Sequence, residues 1–405
     1  MPDAEKLAAI RQAIPALSAG IYLNTGSVGP LPAETAAAMA EIAAWERDVG
    51  RAHVDSSADL LSRMAEARAS VAAVLGTDVS AVGLTHSTTD GMNAATLIAD
   101  WRAGGRAVTT RHEHAGGLGP LFALRDRAGV TLTLVDAGDD GDDERTLAAF
   151  EAAITPDTRL VSVSHVAWTT GAVLPVAAIA ELAHARGALV LVDGAQAAGA
   201  IPIRFDELGA DFYAVPAQKG LLGPEGMGAL VAGPAVLERS VPALGGWFSF
   251  DHAGPAAGTW WPDGRRFESS NYHRPSVVGM ARSIGWLSMF VGLDYVYRRG
   301  LALAAWAAPR LAAIPGVTVL TPPDRMATLV TFRIAGWPAE AALDELGARV
   351  FAIARTIPSL DALRISVGFF SSEEELERFA IAVELLAAHA PGTLPPRRLT
   401  ILGQG

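Results

Sequence analysis

Residues 188–228, ALVLVDGAQAAGAIPIRFDELGADFYAVPAQKGLLGPEGMG, decide the fold of this chain. An apolar run over 189–192 ends abruptly in Asp193, and a second run over 212–215 leads into Lys219 and a glycine-rich turn. In an open parallel sheet, residues just past the strand ends converge on one crevice. The sequence therefore predicts an acid and a lysine that face the same ligand.

An acid and a lysine in one crevice are the two side chains that pyridoxal phosphate (PLP) requires. The lysine forms an imine with the cofactor aldehyde, and the carboxylate keeps the pyridine nitrogen protonated so that the ring can accept electrons. Asp193 alone is weak evidence, because an apolar strand that ends in Asp is common in α/β proteins. The combination is more specific, since Gln196 follows Asp193 by three residues and GLLGPEGMGAL follows Lys219.

The motifs VDGAQ (192–196) and QKGLLGPEGMGAL (218–230) resemble the aspartate strand and lysine loop of class V aminotransferases and cysteine desulfurases, which are fold type I PLP enzymes. The resemblance implies that Asp193 pairs with the pyridine nitrogen and that Gln196 contacts the phenolate oxygen. It also implies that Lys219 binds the cofactor covalently, with Gln218 beside it as a further cofactor contact.

The chain alternates strand and helix patterns over 79–232, which indicates a doubly wound α/β sheet. The resembled fold is a large domain with a mostly parallel seven-stranded sheet between helices, followed by a smaller C-terminal α/β domain. We therefore expect an N-terminal arm (1–20), a large PLP-binding domain (21–275), a linking helix (276–300) and a small domain (301–405). In the small domain the patterns predict four strands and two helices, at 317–321, 327–334, 349–355 and 362–367, and at 338–346 and 372–387.

Composition narrows the function classes. The 405 residues are 50% hydrophobic, enough for a large core, and 32 Lys plus Arg stand against 43 Asp plus Glu, a net charge of −11. That balance argues against electrostatic binding to nucleic acid or to anionic membranes. The N-terminal segment PDAEKLAAIRQAI is acidic and amphipathic, unlike a basic and then apolar export signal. The apolar stretch 301–320 carries two prolines and an arginine, which exclude a membrane span. A cytoplasmic protein is expected.

A phosphate site is expected where the first strand of the sheet leads into THSTTDGMN. A helix beginning among Ser87, Thr88 and Thr89 presents free backbone N–H groups and the positive end of its dipole. Most capped helices bind nothing, so this signal alone is weak. Its position matches the phosphate loop of the resembled family, which implies that Thr88 and Thr89 bind the cofactor phosphate.

The segment RHEHAGG places two histidines around Glu113. A metal interpretation needs further ligands, and although His165 and Asp193 exist, no metal signature connects them. No metal is predicted. The family resemblance instead implies that His114 stacks on the pyridine ring and handles protons.

Three segments are candidates for substrate contacts. In SHVAWTTGAVLP, Trp168 stands where desulfurases usually carry asparagine, which favours a more apolar pocket; simple core packing is the alternative. In the resembled family the segment YLNTGSVG runs near the mouth of the active site, which implies that Asn24 to Gly29 border the substrate; an ordinary structured arm is the alternative. LRISVGFF resembles the family's terminal motif, which implies that Arg364 is the carboxylate ligand, with Arg355 as second choice and an exposed structural arginine as the alternative.

The aperiodic stretch 245–274 is rich in Gly, Pro and aromatics. By resemblance it lies at a homodimer interface, where Ser270 or Asn271 approaches the neighbouring subunit's cofactor phosphate. Its tryptophans, Trp247, Trp260 and Trp261, either line a substrate pocket or pack in the interface, and the interface is favoured.

These motifs predict a PLP-dependent enzyme acting on an α-amino acid. The motif style is closest to isopenicillin N epimerase-like proteins and to carbon–sulfur lyases of thiol metabolism. A carbon–sulfur β-lyase is the first choice, because the chain has no cysteine for a persulfide mechanism. An aminotransferase or epimerase is the runner-up, and an inactive or regulatory protein is the non-enzyme alternative.

Overall fold

The structure is a computed structural model that describes residues 3–101, 105–251 and 258–396. Its strands are β1 (Ile21–Tyr22), β2 (Val82–Thr85), β3 (Arg106–Thr110), β4 (Thr131–Val135), β5 (Thr158–Ser164), β6 (Leu189–Asp193), β7 (Phe212–Pro216), β8 (Gly228–Ala232), β9 (Val317–Val319), β10 (Leu329–Ile334), β11 (Ala352–Ile353), β12 (Arg355–Ile357) and β13 (Ala362–Ser366).

The helices alternate with these strands through the first two thirds of the chain. They are α1 (Asp3–Gln12), α2 (Ala33–Val49), α3 (Ser56–Leu75), α4 (Thr88–Thr96), α5 (Ala115–Ala128), α6 (Asp143–Ala153), α7 (Val176–His184), α8 (Phe205–Leu208), α9 (Pro234–Arg239), α10 (Arg274–Gly285), α11 (Leu293–Ala312), α12 (Ala339–Val350) and α13 (Glu373–Ala387).

The central sheet has seven strands in the order β2-β8-β7-β6-β5-β3-β4. Only β8 runs antiparallel to its neighbours, β2 and β7, so the predicted mostly parallel sheet is confirmed. Its central strands are buried on both faces because helices cover both. On β6, Val190 and Val192 belong to one buried apolar cluster while Leu191 belongs to another. Because helices cover both faces of the sheet, a ligand can reach the sheet at the ends of its strands.

A second sheet lies in the C-terminal part of the chain. It has four antiparallel strands in the order β12-β13-β10-β9. Its core includes Phe332 from β10 and Phe379 from α13, whose rings meet edge to face with centroids 6.2 Å apart. This sheet carries Arg355 on β12 opposite Arg364 on β13, and it thereby delivers two cations toward the large sheet.

The N-terminal residues pack on this C-terminal unit. β1 pairs in parallel with β11, and the Arg11 guanidinium holds the Glu375 carboxylate of α13 with two N–O distances of 2.6 and 2.8 Å. The helix α11 runs through residue 300, where the sequence placed the end of the linking helix. No helix ends there: residue 300 is a glycine, but Gly300 is buried within α11, and the packing of the helix outweighs the low helix propensity of glycine. The division into domains otherwise stays a prediction.

The predicted strand at 349–355 is also wrong in its first part. The helix α12 continues to Val350 and ends at Phe351, which takes a left-handed φ of 55° as the helix C-cap. The sequence predicted a strand here because a short apolar run has no clear period that distinguishes a helix from a strand. Only the brief strands β11 and β12 follow.

No single helix within the described ranges is long and apolar enough to cross a membrane. The segments Arg274–Val291 and Leu293–Ala312 meet the length and composition criterion only as a pair, and they are bent by 82° at Gly292. Buried core helices of soluble proteins meet the same criterion, and Met280, Ile284 and Leu303 of this pair are buried.

Candidate active site

Asp193 ends β6 at the carboxyl edge of the central sheet. It lies beside Ser164 of β5 in the parallel register, and its side chain is buried. Its Oδ1 accepts a hydrogen bond from the backbone N–H of Ala195 at 2.8 Å. One carboxylate oxygen is thus held by the chain, which orients the group toward the crevice.

Lys219 follows β7 and lies in a loop that the backbone holds tightly. The carbonyl of Gln218 accepts from Gly29 N–H at 2.6 Å, and the carbonyl of Lys219 accepts from Leu222 N–H at 3.0 Å. Burial lowers the pKa of the Lys219 amine to about 8; the negative charge of Asp193 opposes this shift, and Arg364 adds to it. The charges of Asp193 and Arg364, from two other parts of the chain, thus both act on the Lys219 amine.

His114 caps the N-terminus of α5. Its Nδ1 accepts from Gly116 N–H at 3.1 Å, so the proton of the neutral ring is on Nε2. Burial lowers its pKa, and Lys219 contributes in the same direction. His114 is therefore a neutral imidazole beside the lysine. Thr89 lies close by, since a Cβ added to Gly116 would meet its Oγ1 at 2.4 Å.

Glu113 is a buried carboxyl group that the sequence noted only as the neighbour of His114. Its oxygens accept from the Thr110 hydroxyl at 2.7 Å and from the Ser164 hydroxyl at 2.5 Å. Burial raises its pKa to about 7, the two hydroxyls oppose this, and Asp193 adds to it. The pair of hydroxyl contacts fixes the chain just before His114.

The predicted phosphate position lies at the start of α4. Ser87 is its N-cap and accepts from Asp90 N–H, which leaves Thr88 and Thr89 as the first helical residues. The neighbouring His86 stacks on Tyr272 at 4.8 Å, and its Nε2 lies 3.1 Å from the backbone carbonyl of Asn271. The Asn271 side chain is exposed, so the structure brings its backbone, rather than its amide, to this helix end.

Gln196 and the N-terminal segment meet at Gly26. The Gln196 amide donates to the Gly26 carbonyl at 2.9 Å. A Cβ on Gly26 would lie 2.6 Å from Ser366 Oγ, 2.8 Å from Gln196 Oε1 and 3.0 Å from Arg364 Nη2. Gly26 therefore lets three polar side chains converge. Asn24 is held next to this point by its bridge to Ser366.

Arg364 is the most enclosed charged residue of the site, with none of its surface exposed. Its Nη1 donates to the Trp168 carbonyl at 2.5 Å, while Nε and Nη2 have no partner among the described residues. Burial lowers its pKa to about 9, so it remains a cation at neutral pH. The alternative of an exposed structural arginine is wrong. Arg355 lies over the Trp168 ring, 5.5 Å from its centroid.

Several other buried polar atoms at this place lack a hydrogen-bond partner in the described part of the chain. An unsatisfied buried group costs about 1–3 kcal/mol, so a polar ligand that bonds these atoms would relieve that cost. They are Asn24 Oδ1, Thr25 Oγ1, Trp168 Nε1, Thr169 Oγ1, Gln218 Oε1 and Ser366 Oγ.

The donor set fits PLP. An amine of low pKa can bind its aldehyde, a buried carboxylate can pair with its pyridine nitrogen, a neutral imidazole can stack on its ring, and a helix N-terminus can receive its phosphate. The unpartnered guanidinium then remains for a substrate carboxylate. The sequence placed Gly26 only within a segment that borders the substrate, and it missed Ser366 and the packing of Glu113. No local pattern marks these contacts because they join distant segments.

This fold and donor set define a PLP-dependent enzyme of fold type I. The chain belongs to the aminotransferase class-V family, whose model matches residues 21–379. Two relatives are 31% identical to it: isopenicillin N epimerase of Streptomyces clavuligerus, over 90% of this chain and 94% of that protein, and a probable cysteine desulfurase of Mycolicibacterium paratuberculosis, over 84% of this chain. The chain spans about half (51%) of the latter protein.

Solved structures agree with this assignment. The complex of the cystine C–S lyase C-DES with its product cysteine persulfide aligns with a TM-score of 0.86 at 26% identity, over 92% of this chain and 99% of that one. A mutant of C-DES with glycine linked covalently to its PLP cofactor aligns equally well, over 92% and 98%. The cysteine desulfurase of Thermococcus onnurineus aligns with a TM-score of 0.81 at 25% identity, over 94% and 98%.

Proposed function

We propose that this enzyme is a carbon–sulfur β-lyase that acts on S-substituted cysteines. The observation that carries the proposal is the buried Arg364 guanidinium. Two of its nitrogens are unpartnered among the described residues, and its charge acts on Lys219. A cation so placed matches an α-carboxylate, which it can bind through two parallel hydrogen bonds.

Lys219 is our choice for the residue that carries the cofactor. The chain has only two lysines, Lys6 and Lys219. Lys6 lies on α1, with its Nζ 4.3 Å from the centre of the Tyr295 ring. Lys219 instead lies within the electrostatic reach of Asp193 and Arg364. Chemistry that needs a lysine amine therefore has one suitable candidate in this chain.

When bound, PLP supplies an electron sink for the pair of electrons released at the substrate's α-carbon. The protein's own residues supply the rest. Arg364 binds the carboxylate and fixes the α-carbon, while the neutral Lys219 amine accepts the α-proton at Nζ. Asp193 would maintain the ring nitrogen of the bound cofactor in its protonated form, and His114 would lie over the ring.

Elimination follows from the bonds at the substrate. The α-proton goes to Lys219, a double bond forms between the α- and β-carbons, and the carbon–sulfur bond breaks with its electron pair leaving on sulfur. The thiolate takes up the proton that Lys219 accepted and departs as a thiol, which returns the lysine amine to its neutral form. The three-carbon remainder reacts with water to give pyruvate and ammonia. No enzyme thiolate is needed, which suits a chain without cysteine.

The relatives support both the first choice and the runner-up. The C-DES structure is described as a C–S lyase, which favours elimination, whereas the relative from Streptomyces clavuligerus is an epimerase. An epimerase or aminotransferase would use the same proton transfer at Lys219 but would keep the carbon–sulfur bond. The fate of that bond therefore separates the two proposals.

We further propose that Thr88 and Thr89 hold the cofactor phosphate and that Gln196 and Gln218 contact the cofactor. Trp168 and Asn24 are proposed substrate contacts. Asn271 is assigned to a neighbouring subunit's phosphate in a homodimer, which its exposed side chain allows. Residues 252–257 of the proposed interface stretch lie outside the described residues. The cytoplasm is the proposed location.

The function is tested by product analysis of the PLP-loaded enzyme with S-methyl-, S-ethyl- and S-benzylcysteine. We expect pyruvate, ammonia and the free thiol in equal amounts. Pyridoxamine phosphate with a keto acid would replace the lyase by an aminotransferase. Exchange of the α-proton with solvent deuterium, without thiol release, would replace it by an epimerase.

The pH dependence of cofactor capture gives a separate prediction. Only the neutral amine attacks the aldehyde, and burial lowers the pKa of Lys219 to about 8. The binding rate of PLP to cofactor-free protein should therefore rise with pH up to about 8 and level off above it. An ordinary lysine, with a pKa of about 10.4, would show a rise that continues to about pH 10. Stopped-flow absorbance between pH 6 and 10 distinguishes the two profiles.

A further inference from the structure

A cleft of about 560 Å³ opens beside the candidate active site. One wall is the exposed face of α5, the opposite wall is the short turn between β12 and β13, and Trp168 lies between them. The turn is a single 3₁₀ turn, Pro358–Leu360, so the wall on this side of the cleft is only three residues long. The proposed catalytic chemistry does not use this space.

Trp168 connects the cleft to the expected carboxylate position. Its backbone carbonyl accepts from Arg364, and its ring meets His114 edge to face with centroids 5.5 Å apart. The same residue lines the cleft together with Thr169. A substrate held at Arg364 therefore has Trp168 as its neighbour, and the cleft is the adjoining space into which a side chain can extend.

The chemistry of the cleft walls is mainly apolar. Leu118, Phe122 and Leu360 line it along with Trp168. Its acidic group, Glu113, already accepts hydrogen bonds from two hydroxyls, while His112 Nε2 lies 3.3 Å from the Asp139 carboxylate but has no hydrogen-bond partner among the described residues. Arg111 is exposed to solvent. The walls therefore suit an apolar group more than a polar one.

The cleft is much larger than a small substrate side chain. Pockets of about 300–1,000 Å³ hold drug-sized ligands, whereas the side chain of free cysteine is one CH₂ group and one sulfur atom. Such a side chain would leave most of the cleft to water. An aromatic ring would displace that water and bury apolar surface against Trp168 and Phe122.

We propose that this cleft is the side-chain subsite and that the preferred substrate is a cysteine conjugate whose sulfur carries a bulky, largely apolar group, such as an aralkyl thioether. This inference rests on the proposed lyase function, since it assigns the leaving thiol of that reaction. From the area that one ring buries, we expect kcat/KM for S-benzylcysteine to exceed that for S-methylcysteine by roughly 30- to 100-fold.

Gly119 provides a direct test, because it lines the cleft on α5 and a Cβ added there meets no atom within 4 Å. In Gly119→Phe the ring would fill the cleft, while the change from Gly favours the helix. The ratio of kcat/KM for S-benzylcysteine to that for S-methylcysteine should fall at least tenfold. The matched control is Ala123→Phe, an exposed position on the same helix that does not line the cleft, where the ratio should stay within twofold.

A binding measurement keeps the subsite separate from the reaction. Homophenylalanine has an aromatic side chain only one atom shorter than that of S-benzylcysteine and has no leaving group, so calorimetry on the PLP-loaded enzyme reports affinity without elimination. Its Kd should rise at least tenfold in Gly119→Phe and not in Ala123→Phe. If S-substituted cysteines release thiol but both variants leave the ratio and this Kd unchanged, the subsite is wrong and the lyase stands. If homophenylalanine responds but no thiol is released, the subsite stands and the lyase is wrong.

Discussion

Lys219→Ala is expected to abolish covalent retention of PLP and to lower turnover by at least about 1,000-fold. The variant loses both the amine that binds the aldehyde and the base that accepts the α-proton, and a positioned base alone contributes about 100- to 10,000-fold. Loss of the yellow absorbance after gel filtration and the rate of pyruvate formation are the two measurements. The variant should still fold, because the substitution removes an amine whose charged form is disfavoured by burial. Thermal unfolding measures this.

The matched control is Lys6→Arg, which changes the chain's other lysine and keeps a cation near the Tyr295 ring. This variant should retain both the cofactor and full turnover. A Lys219→Ala protein that kept more than a tenth of the wild-type turnover would remove Lys219 from the mechanism. Partial recovery of the alanine variant by a small added amine would further support the proton-transfer role.

Arg364→Gln is expected to lower kcat/KM for α-amino acids by roughly 100- to 1,000-fold. The loss reflects a charge-assisted contact inside a buried site, where removing one partner costs about 2–5 kcal/mol. The discriminating comparison uses an amino acid and its decarboxylated amine as ligands in a calorimetric titration. Affinity for the amino acid should fall sharply in Arg364→Gln, while affinity for the amine should change little.

Arg378→Gln is the control for this experiment, because Arg378 lies on α13 in the same C-terminal part of the chain, is exposed, and does not line the cleft. It should leave the binding of both ligands unaltered. An equal loss of affinity for amino acid and amine in Arg364→Gln would mean that Arg364 supports the fold around Trp168 and does not bind the carboxylate.

The elements that the sequence predicted well carry strong local signals. The apolar runs that become β6 and β7 are bounded by Asp193 and by the glycine-rich loop of Lys219, so both strands fall within a residue or two of the predicted bounds. The helix predicted at 372–387 is α13, Glu373–Ala387, within one residue of the predicted bounds. Periodicity and caps are properties of neighbouring residues, and a sequence shows them directly.

The features that the sequence could not predict join distant segments. The pairing of β1 with β11 and the contact of Arg364 with the Trp168 carbonyl each bring together residues far apart in the chain. Nothing near Arg364 in the sequence shows that its guanidinium is buried with unsatisfied donors. The role of Gly26 is similarly invisible, because the three side chains that exclude a Cβ there come from other parts of the chain.

The relation between Trp168 and its neighbours shows how the structure refines a sequence hypothesis. The sequence left open whether Trp168 packs in the core or lines a pocket. In the structure its carbonyl holds Arg364, its ring contacts His114 and Arg355, and its indole Nε1 is buried without a partner among the described residues. Trp168 thus packs against Arg364 and Arg355 and also lines the cleft.

The most direct test of the account is the chemical location of the cofactor. The PLP-loaded enzyme is reduced with borohydride and digested, and the modified peptide is identified by mass spectrometry. We predict a single reduced cofactor adduct on Lys219. An adduct on Lys6 or on the amino terminus, or the absence of any adduct in an active enzyme, would contradict the assignment of the site at the ends of β6 and β7.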